Sequence, residues 1–288
     1  MQIGHADAYE GAVTTPEFRG GGKLFRTLLA GEEGDPGNFR LVYVRVNSAI
    51  STPRHRHNFD QLRLALEGAI NYGPDQWIEP GELAYFPEGT PYGPEEADNE
   101  RLGVTIQFGG DSGEGFISER QMNEGMARLQ TRGTFENGIY RRTDNPPDGT
   151  RRNQDAFEAI WEEVNGRRIS YPEKRWETPV MMRPQDVEWT QEEPGVARKQ
   201  LGSFGARGTA FAFLRLDAGA ELDLAARGGA RIGFVLSGQG DIAGEELRPH
   251  SAFGLKAGEG AVLRASAPLQ LMLADMPAFN AARASAAA

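Results

Sequence analysis

One segment of the first half, PRHRHNFDQLR at residues 53–63, indicates both how this chain folds and where its chemistry lies. It runs into the aliphatic stretch of a β-strand, and alternate residues of a strand point to the same side. His55 and His57 therefore face one side together. Gln61 and Arg63 lie at even spacing from them, so the segment predicts a polar cluster on one face of a sheet.

A second group of residues, further along the chain, predicts a turn that faces this cluster. Gly68 closes the first strand, and Gly81 precedes the turn Pro87-Glu88-Gly89. Proline and glycine favour tight turns for different backbone reasons, so this segment returns a neighbouring strand. Tyr92, three residues after the turn, then faces the histidines from the opposite side.

Together the two groups resemble the motifs of the cupin family, whose fold is a β-jelly-roll barrel. His55 and His57 match the first motif of that family, and the Pro-x-Gly turn matches the second. Two positions depart from the family pattern. Gln61 stands where the family has glutamate, and Tyr92 stands where it has a third histidine.

The resemblance implies a bound divalent transition metal, with iron as the leading candidate and manganese, nickel or zinc as the others, since imidazole suits these ions. The implied ligands are His55, His57, Gln61 and Tyr92. A phenol must lose its proton to bind well, and its ordinary pKa is about 10. The alternative is a cupin barrel that binds an organic ligand without metal, with Gln61 and Tyr92 lining its pocket.

Arg63 has two interpretations, because a guanidinium inside a barrel is costly unless it meets an anion. In the first it clamps a substrate carboxylate or enolate and is a catalytic residue; in a lyase or isomerase, Tyr92 or a metal-bound water is the base. In the second it is half of a structural ion pair. Asp60 and Glu67 fall on the opposite face of the strand by alternation, and we expect both to be solvated.

Further candidates for the wall of a substrate pocket lie on the neighbouring strands of the first half. With Arg63, they are the aromatic and polar residues Tyr72, Trp77, Tyr85 and Gln107. Packing in a hydrophobic core is the alternative role of the aromatic ones.

The two halves of the chain repeat each other. Val44-Arg45-Val46 corresponds to Leu214-Arg215-Leu216, and Leu66-Glu67-Gly68 corresponds to Leu236-Ser237-Gly238, in both cases 170 positions later. A shared offset at two separated strands indicates the duplication of one β unit.

The second copy keeps none of the site motif. Its corresponding positions carry other residues: Ala225 for His55, Arg227 for His57, Arg231 for Gln61, and Leu263 near the position of Tyr92. We expect the second barrel to be a scaffold, a dimer-forming unit or a separate ligand pocket, and we expect His250 to be structural.

The sequence thus predicts an all-β protein of two cupin jelly-roll barrels with a short helical connecting region. The predicted parts are an N-terminal barrel with the candidate metal site at 1–115, the connecting segment at 116–190, a C-terminal degenerate barrel at 191–280 and a frayed tail at 281–288. Two helices are predicted in the connecting segment. One follows a capping box of Ser118 and Gln121, and the other begins at Asn153 as its cap and ends before Gly166.

Composition excludes several classes of function. The net charge is −10 with no basic block, which argues against nucleic-acid binding. The chain has no cysteine and only four histidines, so thiolate chemistry and cysteine metal sites are excluded. There is no apolar run long enough to cross a membrane and no signal-peptide pattern at the start, so we expect a cytoplasmic protein with no membrane partner.

The resemblance implies dioxygenase, decarboxylase, isomerase or lyase chemistry on a small organic substrate, which is an enol, a carboxylate or an aromatic compound. We favour a metal-dependent dioxygenase that forms a homodimer. The alternative from a different class is a non-catalytic cupin that binds a small molecule.

Overall fold

A computed structural model describes residues 1–7, 23–46, 49–114, 116–144 and 150–279. The tail predicted at 281–288 lies outside the described residues. The strands of the first half are β1 (Gln2–His5), β2 (Lys23–Ala30), β3 (Phe39–Val46), β4 (Ile50–Thr52), β5 (Asp60–Glu67), β6 (Ile70–Gly73), β7 (Gln76–Ile78), β8 (Leu83–Phe86), β9 (Glu95–Ala97) and β10 (Arg101–Phe108).

The connecting region contains both helices and a small sheet. Its elements are α1 (Glu119–Gln130), β11 (Gly133–Glu136), β12 (Ile139–Arg142), β13 (Asn153–Asp155), α2 (Ala156–Asn165), β14 (Val180–Met182) and a 3-10 helix at Pro184–Asp186. The second half contains β15 (Thr190–Glu193), β16 (Val196–Phe204), β17 (Thr209–Leu216), β18 (Glu221–Leu224), β19 (Arg231–Ser237), β20 (Gly240–Ile242), β21 (Glu245–Leu247), β22 (Ser251–Leu255), β23 (Ala261–Ala265) and β24 (Leu269–Asp275).

Each half forms a barrel with one large sheet and a smaller layer. Among the described residues, the first large sheet has the order β14-β8-β5-β10-β3-β2 and the second has β1-β22-β19-β24-β17-β16-β15. Antiparallel pairs join the neighbours in both. The smaller layer is β4-β9 with β6-β7 in the first barrel and β18-β23-β20-β21 in the second. The predicted duplication is confirmed, since β3 and β17 begin and end 170 residues apart and occupy the same place in their sheets.

Gly68 shows why the strand of the first motif ends where it does. Its φ is +64°, a left-handed value that suits glycine. A Cβ at this position would lie 2.4 Å from the carbonyl oxygen of Glu100. The glycine therefore lets the chain leave β5 while β10 passes close beside it.

The two barrels exchange an edge strand. β1 lies near the N-terminus but pairs with β22 in the sheet of the second barrel, where Ile3 faces Phe253. β14 lies just before the second barrel but pairs with β8 in the sheet of the first, where Met181 faces Ala84. The sequence division at residue 115 places β1 with the first barrel, whereas the structure places it in the second sheet.

The outer faces of the two large sheets pack against each other. One buried cluster joins Leu62, Tyr85 and Ile106 of the first barrel to Phe211 and Phe234 of the second. Burial of such side chains contributes about 1.5–3 kcal/mol each. The barrels therefore share a hydrophobic core.

Both predicted helices are present. Ser118 caps α1 in a capping box with Gln121, as predicted. α2 is capped by Asp155, so the prediction of Asn153 as cap is wrong; Asn153 instead pairs with β12. Gly166 ends α2 with φ at +65°. No helix in the described ranges is both long and apolar enough to span a bilayer.

The interior of the second barrel is filled by aliphatic side chains. Leu214, Leu216, Leu263, Leu271 and Leu273 are all 1% exposed or less and belong to one cluster. Among the described residues, this cluster gives the inner face of the second barrel an aliphatic core.

Candidate functional site

The turn predicted from Pro87 to Gly89 brings Tyr92 against the histidine pair. Gly89 donates its N–H to the carbonyl of His57 at 2.8 Å. His55 and Tyr92 form an antiparallel bridge, with N–O distances of 3.0 and 2.9 Å. The backbone therefore holds Tyr92 directly opposite His55.

Three aromatic rings converge at this point. The ring centroids of His55 and His57 are 5.0 Å apart, those of His55 and Tyr92 are 4.4 Å apart, and those of His57 and Tyr92 are 5.7 Å apart. All three residues are at most 9% exposed. His57 also stacks on Phe59 at 4.4 Å. The rings are thus held by packing as well as by the backbone.

The ring of His55 is fixed in one tautomer. Its Nδ1 lies 2.7 Å from the carbonyl oxygen of Pro53. A carbonyl can only accept, so Nδ1 carries a proton, and in the neutral imidazole Nε2 is then the nitrogen with the lone pair. This arrangement, in which the second nitrogen donates to a carbonyl, is typical of histidines that bind metals.

The hydroxyl of Tyr92 lies between a cation and an imidazole. Arg63 Nη2 donates to it at 3.2 Å, and the hydroxyl lies 3.3 Å from His57 Nδ1. A guanidinium only donates, so the hydroxyl accepts from Arg63, whereas toward His57 it donates or accepts according to the tautomer of that ring. A hydrogen-bonded path therefore runs from Arg63 through Tyr92 to His57.

Arg63 forms an ion pair, as the second of its two interpretations predicts. Its Nη1 contacts the carboxylate of Glu95, whose side chain is 5% exposed. The guanidinium also lies 4.5 Å from the centroid of Phe86. Burial alone would lower the pKa of Arg63, but Glu95 and Tyr92 oppose this and raise it above its ordinary value. Its role toward a substrate stays a prediction.

The amide of Gln61 lies between Arg63 and Gln107. Arginine has only donors, so the oxygen of Gln61 faces it and accepts from Nε at 2.8 Å and Nη2 at 3.1 Å. The nitrogen of Gln61 then lies 3.1 Å from the amide of Gln107. Both atoms of the Gln61 amide are engaged by neighbouring side chains. Its assignment as a metal ligand stays a prediction.

Besides Gln61, the predicted metal ligands are the imidazoles of His55 and His57 and the phenol of Tyr92. The described part of the chain holds no group of three or more His, Cys, Asp or Glu placed to bind a metal. Imidazole nitrogens with one phenolic oxygen fit a first-row transition metal, and His55 presents the tautomer that such a metal needs.

These residues line a cavity inside the first barrel, with a volume of about 210 Å³. One wall is the apolar row Val42, Val44 and Val46 on β3. Another is α1, which contributes Met122 and Met126. Drug-sized ligands occupy roughly 300–1,000 Å³, so this cavity suits a small metabolite.

Gln107 lines the cavity, whereas three predicted pocket residues lie elsewhere among the described residues. Asn71 takes the cavity-facing position on β6, so Tyr72 beside it packs edge-on to Phe86 at 5.8 Å. Trp77, on the short hairpin of β6 and β7, is 39% exposed. Tyr85 faces outward by alternation and packs 4.5 Å from Phe204 of the second barrel.

The expectation that Asp60 is solvated is wrong, whereas Glu67 is exposed as expected. Asp60 is 3% exposed, because the second barrel and the connecting region cover this face of the sheet. Its carboxylate accepts from the hydroxyl of Tyr85 at 2.6 Å and from the N–H of Glu88 at 2.9 Å. Burial raises the pKa of Asp60 to about 7.

The sequence reasoning missed four charged residues of the cavity, Arg40, Glu95, Arg101 and Glu119. Glu95 follows Tyr92 by three residues on the short strand β9, and no pattern marked it. Arg101 had a signal, because it lies at even spacing from Gln107 on β10 and so faces the same side.

Comparisons with known proteins add to this description. No protein-family model matches the sequence, and no curated protein matches it. Among solved structures, a candidate dioxygenase from Nostoc punctiforme is 10% identical, with a TM-score of 0.60 over 97% of this chain and 86% of that one.

Two further structures match over most of the chain. A single-site mutant of salicylate 1,2-dioxygenase from Pseudoaminobacter salicylatoxidans is 15% identical, with a TM-score of 0.50 over 87% of this chain and 75% of that one. Vicilin from hazelnut, Corylus avellana, is also 15% identical, with a TM-score of 0.50 over 96% of this chain and 86% of that one. At this identity the likeness concerns the fold. The chain has the all-β, two-barrel cupin fold, as its sequence predicts.

Proposed function

We propose that the first barrel is a metal-dependent enzyme that acts on a small organic substrate, with a dioxygenase as the leading reaction class. The observation that carries the proposal is the convergence of His55, His57 and Tyr92 beside a cavity, with His55 held in the metal-binding tautomer. The candidate dioxygenase and the salicylate dioxygenase among the matched structures favour this class.

In this proposal His55, His57 and Tyr92 hold a divalent transition metal, and iron is the leading candidate. Such an ion polarises a carbonyl or an enolate, or takes part in dioxygen chemistry. Within the chain itself, Pro53 fixes the ring of His55 and Arg63 orients the oxygen of Tyr92.

The rest of the cavity positions the substrate and keeps water away. Phe59, Phe116 and Phe157 line it, and Phe59 contacts the other two edge-on at 5.3 and 5.4 Å. Aromatic walls of this kind lower the local dielectric, which strengthens every electrostatic contact to a bound substrate.

The test is the metal content of protein purified without added metal, measured by mass spectrometry. We expect about one transition-metal ion per chain in the wild type and a loss of at least tenfold in His55→Ala, since ligand-set changes weaken binding strongly. The control is His250→Ala, which removes an imidazole outside the cavity and should leave the metal content unchanged. A metal-free wild type that also fails to load iron, manganese, nickel or zinc would contradict the proposal.

A lyase or isomerase is the second candidate, and one observation favours it. The hydroxyl of Tyr92 contacts both Arg63 and His57, which is an arrangement suited to accepting and passing on a proton. Oxygen uptake with candidate enols would separate the two classes. A lyase or isomerase should consume no oxygen, and its exchange of substrate protons with deuterated water should be lost in Tyr92→Phe. The homodimer and the cytoplasmic location are further proposals.

A further inference from the structure

A second arginine of the cavity, Arg101, lies at the end away from Gln107. It is the first residue of β10, and the residues that share its face are Gly103, Thr105 and Gln107. Arg101 is 6% exposed and lines the cavity beside Val46, its partner on β3. A buried cation thus borders the same space as the histidine pair.

The hydrogen-bond partners of Arg101 carry no charge. Its Nη1 donates to the carbonyl oxygen of Asn99 at 2.9 Å and to the side-chain oxygen of Asn99 at 3.3 Å. Arg40 and Arg63, the other arginines of the cavity, contact Glu119 and Glu95. In the described ranges no carboxylate lies within ion-pair distance of Arg101. Arg101 is the cavity arginine whose charge the described residues leave unmatched.

Such a group is expensive for the fold. A buried charge without a counter-ion costs several kcal/mol of desolvation. Burial accordingly lowers the pKa of Arg101, and Glu95 opposes this only in part. The fold itself does not require a cation here, because Leu269 starts β24 in the second barrel and faces Leu216, just as Arg101 faces Val46.

We propose that Arg101 is the carboxylate-binding residue of this cavity, so that the substrate is a small apolar monocarboxylate. The acid group contacts the guanidinium, and the apolar body lies along Val42, Val44 and Val46 toward the histidine pair. This inference rests on the proposed function in one respect, because it takes the molecule bound in the cavity to be the substrate of the enzyme.

Charge and size together favour a carboxylate over a larger anion. One guanidinium matches one carboxylate in two parallel hydrogen bonds. Glu95 lies in the same cavity and repels a second negative charge on the ligand. The volume of about 210 Å³ leaves room for a single ring or a short chain.

The experiment compares acids with their neutral amides, on the full chain after treatment with a chelator. Chelation ensures that a metal ion cannot itself bind the carboxylate. The probes are benzoate with benzamide, and hexanoate with hexanamide, measured by calorimetric titration. We expect each acid to bind roughly 10- to 100-fold more tightly than its amide, because a hydrogen bond to a charged group contributes about 1.5–3 kcal/mol.

The decisive variant is Arg101→Leu, which introduces the residue found at the same place in the second barrel. It should remove the preference for the acid and leave amide binding unchanged, whereas Arg101→Lys should keep a preference for the acid. Arg45→Gln is the matched control, since Arg45 is exposed and faces Leu102 on the outer side of the same strand pair.

A wild type without preference for the acids would overturn the inference, and so would an unchanged preference in Arg101→Leu. Either result would leave the metal measurement on His55→Ala unaffected, so the two proposals fail separately.

Discussion

The two barrels have the same strand order and opposite interiors. In β10 the inward residues are Arg101, Gly103, Thr105 and Gln107, and in β24 the corresponding residues are Leu269, Leu271, Leu273 and Asp275. Leucines thus fill the second barrel at positions where the first barrel has polar or small residues that line its cavity. The strand framework is stable with either interior, which indicates that the polar interior of the first barrel is kept for something other than folding.

The two barrels also differ at one contact between side chains on neighbouring strands. Gln61 and Gln107 face each other across β5 and β10 in the first barrel. Their counterparts Arg231 and Asp275 form an ion pair at 2.8 Å in the second. A cross-strand contact persists at this place although its chemistry has changed.

The largest effect is expected when the positive charge of Arg101 is introduced at the corresponding position of the second barrel, Leu269. Leu269→Arg would place a guanidinium in the filled barrel, where the surrounding core is aliphatic. We expect the free energy of unfolding to fall by roughly 4 kcal/mol or more, because an unpaired buried charge and overpacking act together. Urea unfolding followed by circular dichroism measures this. The reverse change, Arg101→Leu, should leave stability unchanged or raise it.

A smaller effect should follow from shortening side chains on the inward face. Leu271→Ala leaves a void in the filled barrel, and we expect it to cost about 3 kcal/mol. Val44→Ala, in the wall of the existing cavity, should cost about 1 kcal/mol or less, since it only enlarges a space already present. Equal costs in urea unfolding would show that the first barrel is packed as tightly as the second.

The ion pair inside the first barrel gives the next effect. Glu95→Gln removes the anion beside Arg63 and should lower the free energy of unfolding by about 2 kcal/mol, because the guanidinium stays buried. Glu221→Gln is the control, since it breaks the exposed pair with Arg264 and should change stability little. If both variants behave alike, the pair in the cavity is solvated.

The smallest effect concerns Asp60, whose counterpart in the second barrel is Ala230. Its pKa is raised to about 7 in the folded state, so the folded protein holds a proton that the unfolded chain loses near pH 4. Stability should therefore fall as the pH rises toward 7 and then level off. Between pH 5.5 and pH 8 the loss should be roughly 1–2 kcal/mol.

Asp60→Asn should remove most of this pH dependence, because the amide mimics the protonated acid toward Tyr85. Nearby acids make a residual slope, since the pKa of Glu88 is also raised and Asp111 acts on both groups. The measurement is urea unfolding at several pH values. A steep wild-type slope that Asp60→Asn leaves in place would contradict this assignment.

Strand alternation and the 170-residue offset predicted a duplicated β unit and part of the site, and the resemblance to the cupin family implied the jelly-roll barrel. Alternation predicted that His55, His57 and Gln61 share one face, and all three line the cavity. The reason differs from the predicted one, because β5 begins at Asp60 and the two histidines lie before it, where His55 is held by its bridge to Tyr92. The contact of Arg63 with Glu95 joins residues 32 positions apart on different strands, and no local pattern encodes it.

Two of the errors, at Asp60 and Asn153, come from tertiary contacts that no local pattern shows. Asp60 and Tyr85 lie on the outer face of a sheet, which is solvated in an isolated barrel but covered by the second barrel in this protein. The helical period predicts Asn153 as a helix cap, but it carries no sign of the small sheet of β11, β12 and β13. In the structure Asn153 belongs to that sheet. Tertiary contacts decided the positions of Asp60 and Asn153, whereas the outward direction of Tyr85 follows from strand alternation.

The exchanged edge strands also set an order for synthesis on the ribosome. β1 emerges first, but its partner β22 is made about 250 residues later. The first sheet also stays open at β8 until β14 has been made, by which time both helices are complete. The first barrel therefore cannot close its sheet when its own strands have been translated, and β1 has no partner until most of the second barrel exists. A nascent chain released early would expose an unpaired strand edge, the feature that most invites aggregation.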